Sequence, residues 1–258
     1  MQKIIAEKLW ELIAPILVSH KKKTGRPQKD NKKAFIGIIC VLDNGLKWRW
    51  LPAEYGKPST VHGKYMQWIR HGFINEVFEK VRTLYFSTTN AFPNWLAVDT
   101  SSCKASLAKD GGKSPVDRSK RGLKKGVISD SKGAPLVVSV HPGNQHDSKT
   151  LPGVLKLAEK IKRMPLVVVA ADSAYDSEEL RFDAAQMGFV LHAATNKRRN
   201  PNCPIVKPKG RWVVEAAHSW LNTYRGIRTC FVKLTESFLG FLQLASSGVL
   251  LRMSGVFG

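Results

Sequence analysis

"VVVAADSAYDSEEL", residues 167–180, is the stretch of sequence that decides the fold of this protein. It begins with an unbroken apolar run, 167–171, which is too uniformly hydrophobic for a strand with one face in water. The run therefore predicts a strand that is buried on both faces by covering helices. The strand ends at Asp172, and Asp176 with Ser177 predicts the start of a helix. A carboxylate at the end of a buried strand indicates a cationic neighbour.

The charge balance of the chain is strongly basic. Its 258 residues include 41 Lys and Arg against 20 Asp and Glu, which gives a formal net charge of +21. An excess of this size predicts a polyanionic partner, either nucleic acid or an anionic membrane surface. Structural RNA-binding proteins share this charge signature, so charge alone leaves these classes open.

The sequence also disfavours several classes of site and location. The N-terminus lacks the apolar block and cleavage site of a signal peptide. "FLGFLQLASSGVLL", residues 238–251, is too short to cross a bilayer and predicts a buried helix. We therefore expect a cytoplasmic protein with no membrane partner. A disulfide framework or a cysteine zinc site is not indicated, because the cysteines lie far apart at Cys40, Cys103, Cys203 and Cys230.

Residues 1–86 have helical periodicity throughout. The pattern predicts helices near 3–18 and 74–86, one ending at Asn44-Gly45, and one beginning at Ser59 or Thr60. Short helices with a basic loop resemble a helix-turn-helix DNA-binding module in outline, and a plain helical bundle is the alternative. Base stacking is not the first expectation for the tryptophans of this region, which we expect mainly in the core: Trp48, Trp50 and Trp68.

From residue 93 the periodicity changes to that of strands. The pattern predicts a strand over 94–106, a hairpin over 122–144 with its turn at "DSKGAP", a helix, the strand at 167–171, a second helix, a fifth strand and a last helix. If the strand at 167–171 pairs in parallel with the first strand, Asp99 and Asp172 meet at neighbouring strand ends. Open α/β sheets bind ligands at such positions.

Three acidic residues are candidates for a metal site: Asp99, Asp172 and Glu215. Carboxylate oxygens on rigid elements suit Mg²⁺ or Mn²⁺, and a pair of such ions can catalyse in-line phosphoryl displacement. The alternatives are ordinary ones. An aspartate after a strand is commonly a helix cap, and Glu215 is placed to pair with Arg211 on a helix surface.

Several blocks of sequence, taken in order, resemble a DDE transposase of a bacterial insertion sequence, in the group named after insertion sequence five. The blocks are "RPQKD", "LDNGLKWRWLP", "YGKPSTVHGKYMQW", "LAVDTSS", "KKGVISDSKGAPLVVSVHPGNQHDS", "VVVAADSAYDS" and "RWVVEAAHSWLNTYRGIR". The resemblance extends over nearly the whole chain. The most characteristic element is an arginine followed by a glutamate four positions later, at Arg211 and Glu215.

The resemblance implies a fold and a domain organisation. It implies an α/β fold with a ribonuclease-H-like catalytic domain, in which helices flank a mixed five-stranded sheet, at residues 93–258. A small all-helical, helix-turn-helix-like DNA-binding domain precedes it at residues 1–88.

The resemblance also implies an activity. A transposase of this group binds the terminal inverted repeats of its element and catalyses metal-dependent strand cleavage and transfer. The implied catalytic and metal-binding triad is Asp99, Asp172 and Glu215, with two Mg²⁺ or Mn²⁺ ions. The implied partner is double-stranded DNA, bound by a homodimer associated with the bacterial nucleoid. Contacts to DNA are expected from basic residues: Arg26, Lys47, Arg49, Lys64, Lys124, Lys125, Arg198, Arg199, Arg211, Arg225 and Arg228.

The chain departs from the family pattern at three positions. Ser173 and Ala174 stand where Lys and Gly are usual, and Asn222 stands where a basic residue is often found. A decayed or domesticated transposase that acts only as a DNA-binding regulator is therefore the alternative function.

Overall fold

The structure, a computed structural model, describes residues 2–19, 30–91, 93–114 and 118–256. In its N-terminal part these residues form four α-helices: α1 (Gln2–Ser19), α2 (Asn31–Asn44), α3 (Pro58–Arg70) and α4 (Phe73–Thr89). Two short 3-10 helices, Trp48–Trp50 and Ala53–Tyr55, connect α2 to α3. Arg26, one of the predicted DNA-binding residues, lies outside the described residues.

The remaining part alternates strands and helices. Its strands are β1 (Trp95–Lys104), β2 (Gly112–Lys113), β3 (Arg121–Ser129), β4 (Pro135–Pro142), β5 (Val167–Ala171) and β6 (Phe189–Ala193). Its helices are α5 (Asp147–Glu159), α6 (Glu178–Gln186), α7 (Trp212–Asn222), α8 (Arg225–Arg228) and α9 (Thr235–Met253).

Helix ends in the N-terminal part follow from local chemistry. Gly45 adopts a left-handed conformation, with φ 62°, and its N–H donates to Val41 O, which ends α2 as predicted. Gly72, with φ 76°, separates α3 from α4. The predicted cap of α3 at Ser59 or Thr60 is wrong, because the helix begins earlier, at Pro58. The fixed φ of proline suits the first position of a helix.

The strands form one mixed sheet with β1 at its centre. β1 is antiparallel to β3 and parallel to β5, β5 is parallel to β6, and β4 extends the sheet antiparallel to β3. The two-residue strand β2 is an addition to the predicted five and pairs with the start of β3. The predicted α/β fold with a mixed sheet and flanking helices is confirmed.

Helices cover both faces of this sheet. Side chains alternate along β3, so that Lys124 points to α5 and Lys125 points to α7. The opening stretch behaves as predicted: four of the five residues of β5 are buried and Val168 is partly buried.

The β3–β4 turn fixes the position of α7. Gly133 has φ 82°, and a Cβ atom there would lie 3.0 Å from Val213 O at the start of α7. Because only glycine accepts this backbone conformation and this contact, α7 can pack directly on the turn. Asp130, in the same turn, accepts a hydrogen bond of 2.7 Å from the Tyr85 hydroxyl of α4. The turn therefore ties α4 to the sheet and to α7.

The two parts of the chain share a hydrophobic core. The C-terminal helix α9 is buried along most of its length and packs on α4, α1 and β4. Buried residues form one cluster that extends across both parts. The division into residues 1–88 and 93–258 therefore stays a prediction. No helix in the described part of the chain is long and apolar enough to span a membrane.

Candidate active site

Asp99 and Asp172 are brought together by the pairing of β1 with β5. The parallel register aligns Leu96 with Val169 and Ala97 with Ala170. The same register, continued by two residues, places Asp99 beside Asp172. Asp172 is held by its own carboxylate, which accepts a hydrogen bond of 2.8 Å from the backbone N–H of Ala174.

The electrostatics of Asp99 reflect this close approach. The pKa of the Asp99 carboxyl is raised to about 6, chiefly by burial and also by the negative charges of Asp172 and Asp147. A hydrogen bond from the Thr100 backbone and the positive charge of Arg211 act in the opposite direction. Asp99 therefore lies in a buried site in which the neighbouring Asp172 charge also disfavours its charged form. Such a site suits a hard cation that prefers oxygen ligands.

Glu215, the third predicted acid, is bound to Arg211 on α7. Arg211 Nη2 donates a hydrogen bond of 2.6 Å to Glu215 Oε1, and the Glu215 side chain is 54% exposed. This is the helix-surface pair that was the alternative interpretation of Glu215. Among the residues that the structure describes, no three His, Cys, Asp or Glu side chains are grouped closely enough to hold a metal ion. Convergence of Glu215 with the two aspartates stays a prediction.

A further acid, Asp147, lies near the aspartate pair. Its Oδ1 accepts hydrogen bonds from Thr100 Oγ1 at 2.6 Å and from Lys124 Nζ at 2.7 Å. Thr100 follows Asp99 on β1, so Asp147 anchors the strand next to the candidate ligand. Asp147 is indeed the first residue of α5, but its side chain reaches across to the sheet. The "HD" of "GNQHDS" was the only sequence signal for it.

Tyr175 is the second residue that sequence reasoning missed. Its side chain is 1% exposed, and its hydroxyl forms no hydrogen bond of normal geometry within the described structure. Burial raises the pKa of Tyr175, and the charges of Asp147, Asp99 and Asp172 raise it further. A neutral hydroxyl therefore lies near the carboxylates and the Thr100 side chain.

Lys125 occupies the opposite face of β3 and is 1% exposed. Its ammonium donates to Asn222 Oδ1 at 2.6 Å, and burial lowers its pKa. The prediction that Lys125 contacts DNA is corrected, because a buried ammonium that is already hydrogen-bonded cannot reach a phosphate. His218, also buried, has a pKa lowered to about 4, first by burial and then by the Lys125 charge.

The other predicted DNA-binding residues differ in accessibility. Lys124 is engaged with Asp147 and its side chain is 12% exposed. Lys47, Lys64 and Arg211 are partly buried. The remaining side chains are exposed: Arg49, Arg198, Arg199, Arg225 and Arg228.

The expectation of core positions holds for two of the three tryptophans. Trp68 is buried, and Trp48 packs against Tyr65 and Phe241. Trp50 is instead 58% exposed, so its expected place in the core is wrong. It belongs to a 3-10 helix at the surface, where its ring lies beside Lys47 and Arg49.

Two family matches cover most of the chain. Residues 91–246 match the family described as "Transposase DDE domain", and residues 5–78 match the one described as "Putative transposase of IS4/5 family". Both agree with the resemblance seen in the sequence.

Two bacterial relatives are also described as putative transposases of insertion sequence elements. The "Putative transposase for insertion sequence element IS402" of Burkholderia cepacia is 32% identical over 139 residues, 52% of this chain and 64% of that protein. The "Putative transposase for insertion sequence element IS6501" of Brucella ovis is 30% identical over 129 residues, 49% of this chain and 95% of that protein. The aligned region thus spans less than two thirds of the first relative and nearly all of the second.

A solved structure shares the fold. The piggyBac transposase, in a synaptic complex with hairpin DNA, is similar with a TM-score of 0.51 and 12% identity, over 97% of this chain and 74% of that chain. At this level of identity the similarity shows the fold alone.

Proposed function

Because this chain belongs to the DDE transposase family, we propose that it binds the terminal inverted repeats of an insertion sequence and catalyses metal-dependent strand cleavage and strand transfer. The observation that supports the catalytic part is the approach of Asp99 to Asp172 at the centre of the sheet. The observation that supports DNA as the partner is the net charge of +21.

Membership of the family implies use of a divalent metal ion. The donor set fits this group, since Asp99 and Asp172 offer carboxylate oxygens whose mutual repulsion a divalent cation relieves. We assign Asp99, Asp172 and Glu215 as the ligands of Mg²⁺ or Mn²⁺, with two ions. When bound, such ions activate a water or a 3′-hydroxyl and stabilise charge on the phosphoryl oxygens.

The chain's own residues then have distinct roles. Asp99 and Asp172 provide fixed carboxylates, because the sheet register sets their separation. Glu215 joins them by giving up its ion pair with Arg211 and binding the metal instead. The loss of this pair costs little free energy, because exposed ion pairs contribute only about 0.2–1 kcal/mol. Arg211, once released, is free to bind a DNA phosphate.

Asp147 and Tyr175 hold the proposed metal ligands in position and do not bind the metal themselves. Asp147 holds Thr100 and Lys124 in place next to Asp99. The buried hydroxyl of Tyr175 donates a hydrogen bond to a carboxylate of the site. Both residues are positioning residues in this proposal.

DNA is held by the exposed cations around the site. Arg198 and Arg199 are on the loop before α7, and Arg225 and Arg228 are on α8 directly after it. Contacts of this kind fix the position of the DNA backbone without reading its sequence. We propose that two copies of the chain act together on paired ends of the element.

The test is Asp172→Asn, which preserves size and removes one charge. With oligonucleotides bearing the element's inverted repeats, we expect Asp172→Asn to bind as the wild type does and to lose Mg²⁺- or Mn²⁺-dependent cleavage. Asp183→Asn, a change of another partly buried aspartate on α6, is the matched control and should cleave normally. Cleavage by Asp172→Asn at the wild-type rate would refute the assignment. A wild-type protein that binds the repeats but never cleaves them would establish the regulator instead.

A further inference from the structure

A groove lies between the N-terminal helices and the segment that follows α8. We name it the basic–aromatic groove and define it by Lys47, Arg49, Trp50, Phe231 and Lys233. The cavity at its floor is about 510 Å³, and its lining includes all of these residues except Trp50, which stands at its rim. An adjoining cavity of about 430 Å³ shares Phe231 and Lys233 and adds Lys109.

Close backbone packing makes the groove a fixed feature. A Cβ atom at Gly226 would lie 2.7 Å from Leu42 O, and one at Gly45 would lie 3.0 Å from Arg225 Cβ. The two walls therefore meet at glycines, where no side chain separates them. The groove does not need to be formed by its ligand.

Two aromatic rings are presented to solvent at the groove. Trp50 is 58% exposed and Phe231 is 39% exposed. Lys47 Nζ lies 5.1 Å from the centroid of the Trp50 ring and 5.7 Å from that of Phe231. The guanidinium of Arg49 lies 5.2 Å from the Trp50 ring. Both rings thus lie close to the same ammonium, and both are partly exposed to solvent.

The charge of the groove is of one sign. Four cations line the two cavities, Lys47, Arg49, Lys109 and Lys233, and neither lining contains an Asp or Glu among the described residues. Positive charge selects a polyanion, and exposed rings select a ligand with planar faces. Duplex DNA keeps its bases stacked inside and would leave both rings unused. Unpaired nucleotides offer phosphates and bases together.

The groove is within reach of the candidate active site. Thr229, on the groove wall, forms a β-bridge with Lys104, which is five residues beyond Asp99 on β1. At about 3.3 Å per residue this separation is about 17 Å, or about five base steps of DNA.

We propose that the basic–aromatic groove binds unpaired nucleotides of a DNA strand, within about five base steps of the phosphodiester at Asp99 and Asp172. The proposal rests on the proposed function, because it assumes that the carboxylates act on DNA. Phosphates contact Lys47, Arg49 and Lys233, and a base stacks on Trp50 or Phe231.

The test compares two DNA probes by fluorescence anisotropy: a fully paired duplex, and the same duplex with a single-stranded flank of thymines. Trp50→Leu and Phe231→Leu are each expected to weaken binding of the flanked probe by about tenfold and to leave the paired duplex within about twofold. Trp50→Phe, which keeps a stacking face, is expected to restore most of the affinity. Phe182→Leu removes an equally exposed aromatic ring on α6 and should change neither probe.

Three results would overturn the inference. One is a Trp50→Leu variant that binds the flanked probe as well as Phe182→Leu does. Another is an equal loss of affinity for both probes, which would indicate a duplex contact. The third is competition by polyglutamate as strong as by oligothymidine, which would indicate an acidic protein as the partner. Failure of the wild type to bind either probe would instead refute the proposed function itself.

Discussion

The Lys125 ammonium on β3 and the Asn222 carboxamide at the last turn of α7 form a hydrogen bond of 2.6 Å inside the protein. This bond joins the helix that holds Glu215 to the strand next to β1. It also bears on the departure at Asn222, where the family often has a basic residue. Here the positive charge is still present at that place, but it comes from the sheet. The departure by itself is thus no sign that the site has lost a cation.

We predict that only one of the two positions, 125 or 222, can hold a positively charged side chain. Asn222→Lys should destabilise the protein by about 2–4 kcal/mol, because it buries a second charge against Lys125 and removes the acceptor. The exchanged double variant, Lys125→Asn with Asn222→Lys, should recover most of that loss. Urea unfolding of the two single variants and the double variant measures the coupling. Additive losses in the double variant would show that the two side chains act independently.

We predict that Asp99 destabilises the metal-free protein at neutral pH. The pKa of Asp99 is raised to about 6, so the folded state holds this proton more tightly than the unfolded state does. The tighter proton binding stabilises the folded state at low pH, and this stabilisation is lost as the pH rises from about 4 through about 6.

Asp99→Asn should therefore raise the stability in EDTA by about 1–2 kcal/mol at pH 8 and by much less at pH 4. Mg²⁺ should stabilise the wild type and not the variant. Thermal unfolding at the two pH values, with EDTA and with Mg²⁺, is the measurement. A variant less stable than the wild type at pH 8 would contradict the assigned repulsion.

We predict that Asp147 acts on metal use and not on DNA binding. Asp147→Asn removes the ion pair with Lys124 and weakens the hold on Thr100, so the site should need about 10–100 times more Mg²⁺ for half-maximal cleavage. Affinity for inverted-repeat DNA in EDTA should stay unchanged. Titration of Mg²⁺ in the cleavage assay, beside Asp183→Asn, distinguishes this effect from a general loss of stability. A reduced maximal rate at an unchanged Mg²⁺ requirement would argue against the role.

We predict that Arg211 competes with metal for Glu215. Arg211→Gln should increase the affinity of the DNA-free protein for Mn²⁺, because Glu215 no longer has its ion pair, and should change the free energy of unfolding by less than about 1 kcal/mol. Mn²⁺ binding followed by electron paramagnetic resonance provides the comparison, with Arg211→Gln/Glu215→Gln as the control that removes the gain. Weaker Mn²⁺ binding by Arg211→Gln would indicate that Glu215 is not a ligand.

We predict that exposed cations, and not Lys125, set the salt dependence of DNA binding. Replacing Arg198 and Arg199 by glutamine should reduce the slope of log affinity against log salt by about 1.8, the value for two phosphates. Lys125→Met should leave the slope unchanged, because the Lys125 ammonium is buried. Anisotropy titrations over a range of NaCl concentrations give both slopes. An equal reduction by Lys125→Met would mean that the ammonium reaches DNA after all.

Local patterns in the sequence were enough to predict the sheet and the aspartate pair. An apolar run as uniform as residues 167–171 fits a strand covered on both sides, and this strand does pair in parallel with β1. Once that pairing is made, the register brings Asp172, just after β5, beside Asp99. Asp99 lies in the middle of β1 and not at its end, because β1 continues to Lys104 in its pairing with β3. Gly45 ended α2 as predicted, because glycine adopts the left-handed conformation without steric cost.

Only the tertiary structure decided which charged and aromatic side chains reach solvent. Lys124 and Lys125 are chemically identical neighbours, and a run of basic residues does not reveal that one meets Asp147 and the other is enclosed beneath α7. Asp147 had only the weak signal of its place after His146, and Tyr175 had none, since their roles depend on residues distant in the chain. Trp50 likewise differs from Trp48 and Trp68 only in what packs around it. Composition and spacing determine which elements form, whereas the burial of each side chain depends on how those elements pack.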